Sequence, residues 1–154
     1  MEIKYMEQVK DNPALKGFRN EPMTITEISK LESKFNQGKE FPKAFREFLF
    51  LAGNFNCYHF DDLGEGLDQL QQYAKEELEM AGQKIDRPFF VFTQLTGCEY
   101  FVFIYLDENE ENPKTYVCSP YYKSSNEEFI KYNGYKFSEL VNESIRRIKN
   151  NISA

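Results

Sequence analysis

Apolar and polar positions alternate with two distinct periods along this chain, and the change of period divides it. From Thr24 the apolar residues recur at helical spacing: Ile28, Leu31 and Phe35, with Glu27, Lys30, Glu32 and Lys34 on the other faces. Thr24-Ile25-Thr26-Glu27 reads as a capping box that opens this helix, and Asn36-Gln37-Gly38 closes it. A second helix follows in "EFPKAFREFLFLAGNF" (40–55). Pro42 suits its first position, and Gly53 suits the residue past its end, where φ is often positive. Phe41, Phe45, Phe48, Leu49 and Ala52 form its apolar stripe, whereas Lys43, Arg46 and Glu47 lie outside it. Leu67, Leu70, Ala74, Leu78 and Ala81 mark a third helix, stopped by Gly82. Before Thr24, a short helix loosens around Pro13, Gly17 and Pro22.

The period then shortens. "RPFFVFTQ" (87–94) and "EYFVFIYLD" (99–107) are dense in β-branched and aromatic residues, with "LTGC" suited to a hairpin loop between them. Apolar side chains on both faces predict central strands covered by helices on at least one side. "KTYVCS" (114–119) predicts a third strand of a meander, and "FNCYHF" (55–60) a short separate one. Residues 120–135 read as a long loop. A last helix over about 137–150 carries Phe137, Leu140, Val141, Ile145 and Ile148 on one face, with Arg146, Arg147 and Lys149 at its dipole-favoured end. Helices, then an antiparallel meander, then a helix predict an α+β fold: a mainly antiparallel sheet flanked by N-terminal and C-terminal helices. No repeat, low-complexity tract or linker divides the chain, so the reading is one domain over 1–154.

Composition narrows the function. The 154 residues include 15 Phe and 10 Tyr, enough to build a core. Net charge is −6, so the chain repels phosphate backbones and suits a basic protein partner rather than a nucleic acid. The three cysteines, Cys57, Cys98 and Cys118, form no CxxC pair, which argues against zinc and for thiols in a reducing compartment. The N-terminal stretch lacks an apolar run of signal-peptide length, and no segment reaches the about 18 apolar residues of a membrane span. The expectation is a cytoplasmic protein away from membranes.

Catalytic chemistry finds little purchase. His59 is the only histidine. A strand would put Cys57 on the same face, but no hydrolase signature surrounds the pair. Gly64-Glu65-Gly66 lies in "DDLGEGLD", whose carboxylates would repel a phosphate, and no complete phosphate-binding fingerprint is present. The same carboxylates lack EF-hand spacing. No cofactor, metal or catalytic residue is expected. Acidic residues recur in clusters: Asp61, Asp62, Glu65 and Asp68; Glu76, Glu77 and Glu79; Asp107, Glu108, Glu110 and Glu111. Ordinarily such clusters are solvated surface. Repeated under a net negative charge, they make an acidic docking face for a basic protein, with Tyr121, Tyr122, Tyr132 and Tyr135 as candidate aromatic anchors.

"ITEISKLESKFNQGKEFPKAFREFLFLAGNF" (25–55) resembles the N-terminal motif of the SUKH superfamily. Ile28, Leu31 and Glu32 match its first helix, and Phe41-Pro42 stands for its Leu-Pro step. Phe45, Phe48 and Leu49 match its aromatic and Phe-Leu positions. Ala52-Gly53-Asn54 departs from its Asn-Gly-Gly turn. The later strands and "KFSELVNESI" (136–145) fit its meander and final helix, so the resemblance spans about residues 24–150. It implies a non-enzymatic immunity protein of a polymorphic toxin system, which binds and neutralises a cognate toxin domain, often a nuclease or deaminase. The superfamily also includes a fungal regulator of cell-wall glucan synthesis, so a regulatory or scaffold module is the alternative it implies.

Overall fold

Thr24 opens its helix as the spacing predicts. Its hydroxyl accepts from the Glu27 N–H at 3.1 Å, and Glu27 Oε1 accepts from the Thr24 N–H at 3.1 Å. The computed structural model describes residues 1–122 and 128–152. Over these the chain forms α1 (Glu7–Asp11), β1 (Ala14–Leu15), β2 (Phe18–Arg19), α2 (Ile25–Phe35), α3 (Lys43–Ala52), α4 (Leu67–Met80), β3 (Phe89–Leu95), β4 (Tyr100–Tyr105), β5 (Lys114–Cys118), β6 (Ile130–Lys136) and α5 (Phe137–Lys149). This is an α+β architecture, with a two-stranded sheet β1-β2 and a four-stranded sheet in the order β3-β4-β5-β6. The pairings β1 with β2, β3 with β4, and β4 with β5 are antiparallel. Among the described residues, no helix is long and apolar enough to cross a membrane.

The chain divides into two compact units. One comprises Met1–His59, Asn109–Pro113 and Tyr135–Ala154; the other comprises Phe60–Glu108 and Lys114–Gly134. The first is helical and packs on aromatic edges. Phe137 of α5 meets Phe45 and Phe48 of α3 with ring centroids 5.3 and 5.5 Å apart and near-perpendicular planes. Two carboxylates are buried with them. Glu32 Oε2 accepts from the Phe41 N–H at 2.7 Å and from Arg46 Nε at 3.0 Å, tying α2 to the entry of α3. Glu47 Oε1 accepts from three successive backbone N–H groups, Lys4, Tyr5 and Met6, at 2.9, 2.8 and 3.1 Å. Both acids were expected on open helix faces; polar partners, not solvent, satisfy them. Gly53 also differs from expectation. Its φ is −68°, and glycine is needed instead because a Cβ would lie 2.6 Å from the Leu49 carbonyl and 2.7 Å from the Met23 side chain.

The second unit is the sheet with α4. Leu67, Leu70, Ala74 and Leu78 are buried as the spacing predicts, and Gln71 is buried among them. Its amide accepts from the Val91 N–H at 2.8 Å and donates to the Val91 carbonyl at 2.7 Å. β3 is therefore an edge strand, not a central one, and a helix side chain closes its open edge. Phe89, Phe101, Phe103, Tyr105 and Tyr116 share a face by register and form a chain of ring contacts.

Two further expectations are corrected. Residues 55–60 form no strand: Phe55 makes one bridge to Glu21, and His59, at φ 68°, turns the backbone out of extended geometry. The stretch read as a loop over 120–135 holds β6, hidden because most of its side chains face outward and so lack an apolar alternation. Residues 123–127 of that stretch lie outside the described residues.

Candidate functional site

The acidic loop at 61–66 is shaped by its own aspartates. Asp61 Oδ1 accepts from the Leu63 N–H at 2.8 Å, and Asp62 Oδ1 from the Gly64 N–H at 2.9 Å. These side-chain turns hold Leu63 and Gly64 at φ 66° and 72°. The loop is then fastened to β3. The Asp61 N–H donates to Thr93 Oγ1 at 2.8 Å, the Gln94 N–H to the Asp61 carbonyl at 3.1 Å, and Gln94 Nε2 to Asp61 Oδ2 at 2.8 Å. Gln94 Oε1 accepts in turn from the Cys98 N–H at 3.0 Å, so one buried amide joins the loop to the β3–β4 turn. Glu65 accepts from the Tyr73 hydroxyl, which raises the phenol pKa above its ordinary value. Asp68 lies exposed in the first turn of α4, where a negative charge suits the helix dipole. Every donor to Asp61, Asp62 and Glu65 named here is neutral, and none of the three pairs with a cation among the described residues.

The downstream acids are bound otherwise. Asp107 is gripped by Arg87 through Nε and Nη2, the latter at 2.7 Å, and this bond holds its carboxyl below the ordinary carboxylate range. The same guanidinium lies 3.7 Å from the centroid of the Tyr105 ring. Glu108 accepts from the Tyr116 hydroxyl at 2.8 Å and lies 3.8 Å from Arg87. Burial, with that bond second, pushes the Tyr116 phenol up to about 12. Glu111 accepts from the Tyr5 hydroxyl at 2.7 Å and from Lys4 at 3.2 Å, and both bonds lower its pKa. Glu110 is exposed beside it. Glu110 and Glu111 belong to the helical unit, whereas Asp61 to Asp68, Asp107, Glu108, Tyr121 and Tyr122 belong to the sheet unit. Of the acids that the sequence singles out, Asp107, Glu108 and Glu111 are thus matched to Arg87 and Lys4, whereas Asp61, Asp62 and Glu65 have no cation partner among the described residues.

Both candidate tyrosines are partly exposed. The Tyr121 hydroxyl donates to Glu77 Oε2 of α4 at 2.5 Å, and Lys131 Nζ lies 5.7 Å from the Tyr122 ring centroid. Tyr132 is exposed on β6 with Lys114 5.5 Å from its ring centroid, and Tyr135 is half-buried.

Cys57 and His59 do not share a strand face, because residues 55–60 form no strand. Cys57 is buried, burial pushes its thiol up, and His59 is exposed beyond a turn. Burial likewise pushes Cys98 up to about 11 and Cys118 to about 12. Among the described residues, no group of His, Cys, Asp and Glu is arranged to hold a metal ion. Sequence reasoning missed the internal role of Glu32, although its spacing from Ile28 and Leu31 places it on the apolar stripe. It also missed Gln94, whose neighbours give no sign that it fastens the acidic loop. Compared with known proteins, the chain matches no family model, no curated protein and no solved structure.

Proposed function

We propose that this chain is a non-enzymatic immunity protein of the SUKH type, acting in the cytoplasm by binding a basic toxin domain and occluding its substrate cleft. The observation that carries this reading is the loop of Asp61, Asp62 and Glu65, held by neutral donors and paired with no cation among the described residues. A toxin that acts on nucleic acid needs a basic cleft for phosphates. A preorganised row of carboxylates can occupy such a cleft as a phosphate mimic, and opposite charge speeds the encounter. The Glu32–Phe41–Arg46 link supports the resemblance from another side. It couples the motif's acid to the residue before Pro42, a physical reason for those residue types to occur together. A regulatory scaffold of the same fold would have no toxin to neutralise, and this separates the two readings.

Co-expression tests the proposal. The C-terminal domain of the protein encoded beside this chain is produced in cells with and without it. Killing that this chain reverses, and that an unrelated acidic protein leaves unchanged, is the expected outcome. Killing that it does not reverse overturns the reading in favour of another partner or the scaffold role.

A further inference from the structure

Exposed apolar side chains gather at one end of the sheet unit. Leu95 and Tyr100 face each other across the β3–β4 hairpin as a register pair, 63% and 41% exposed. Beside them, Phe101 pairs with Cys118, so the chain that leaves β5 toward Tyr121 starts next to Tyr100. Tyr121 reaches α4 through its bond to Glu77, and Met80, one turn further along α4, is 68% exposed. The acidic loop is fastened to β3 one residue before Leu95, where Gln94 holds Asp61 by side chain and backbone. Electrostatic reach agrees: the charges of both Glu77 and Asp61 act on the Cys98 thiol in the turn, and Glu99 acts on Tyr121.

The turn is closed by the Glu99 N–H, which donates to the Thr96 carbonyl at 3.3 Å. Thr96, Gly97 and Cys98 have φ of 56°, 64° and 70°, and Thr96 is a β-branched residue in the left-handed region. The Gln94 amide holds the Cys98 end. A preordered tip loses little freedom on binding.

We infer that this hairpin tip, with Leu95, Tyr100, Tyr121 and Met80, is the apolar anchor of a protein-docking surface whose carboxylate rim is the 61–66 loop with Glu77 and Glu99, and that its occupant is a basic protein surface. The inference rests on the reading of the chain as a toxin-binding protein and names the place where binding occurs. An apolar centre with a polar rim is the usual anatomy of an interface, and exposed Tyr suits an anchor. A second copy of this chain is disfavoured as occupant, because its own carboxylates would meet these.

Site-directed photocrosslinking with the full chain tests this. A photoreactive residue is placed at Leu95, at Tyr100, and at Lys30 on α2 as a control, and the chain is expressed in cells that carry the neighbouring gene. The crosslinked protein is identified, purified and titrated against wild type, Leu95→Ser and Tyr100→Ala. The expected result is a basic protein joined at Leu95 and Tyr100 but not at Lys30, with Kd weakened at least about tenfold by each substitution. Unchanged melting temperatures of both variants show that folding is intact. Crosslinking only at Lys30, crosslinking only to a second copy, absence of any crosslink, or unchanged Kd overturns the inference. A basic partner joined at the tip that is harmless to cells keeps the docking surface but removes the toxin reading. A toxin bound tightly by both variants does the reverse.

Discussion

At the scale of single residues, the side chains of Glu47 and Glu32 do the most to fix the helical unit. Glu47 is fully buried, and one carboxylate oxygen gathers three consecutive N–H groups just before α1. Its other oxygen lies 3.2 Å from Lys43 Nζ. Those N–H groups lie ahead of the first turn of α1, so the side chain of α3 supplies the acceptor for backbone that no helix turn would satisfy. Removing it strands the three donors. Glu47→Leu is expected to lower unfolding stability by about 3 kcal/mol or more, with Glu47→Gln intermediate because one acceptor survives without its charge. Urea denaturation of the three proteins measures this. Equal midpoints would show that water satisfies the N-terminal donors and that Glu47 is dispensable.

At the scale of elements, the helices were legible and the sheet edges were not. α2, α3, α4 and α5 each present a long apolar stripe to their surroundings, and a stripe at helical spacing is visible without knowledge of what it packs against. β6 offers no such stripe, because an edge strand can keep most side chains in solvent and still satisfy its backbone by pairing on one side. β3 misled for the opposite reason: its apolar density resembles a central strand, yet Gln71 of α4 supplies what a neighbouring strand would have supplied. The candidate site divided along the same line. Clusters of Asp and Glu are plain in a sequence, but which carboxylates gain a cationic partner depends on Arg87 and Lys4, which lie far from those partners along the chain. Gln71 gives the test at this scale. Gln71→Leu leaves the buried Val91 N–H and carbonyl unpaired and is expected to cost about 2–3 kcal/mol. Hydrogen exchange at Val91 should accelerate far more than at Phe103 in β4. Retained protection at Val91 would mean that the edge is covered by something other than this amide.

At the scale of the whole molecule, a chain of net charge −6 carries, in the loop fastened to β3, carboxylates that meet no cation among the described residues. On the proposed function, charge and anchor would play separate parts: the loop would govern the rate of encounter and its salt dependence, and the tip the lifetime of the complex. The measurement that tests this account most directly is the affinity for the neighbouring-gene domain across a salt series, for wild type and for Asp62→Asn with Glu65→Gln. Both replacements keep an oxygen for the Gly64 N–H and the Tyr73 hydroxyl, so the loop geometry persists while two charges disappear; Asp61 is left in place because the Gln94 amide needs it. The account predicts affinity about tenfold weaker at low salt and a visibly shallower salt dependence in the variant. Equal affinity with an unchanged salt slope would contradict it.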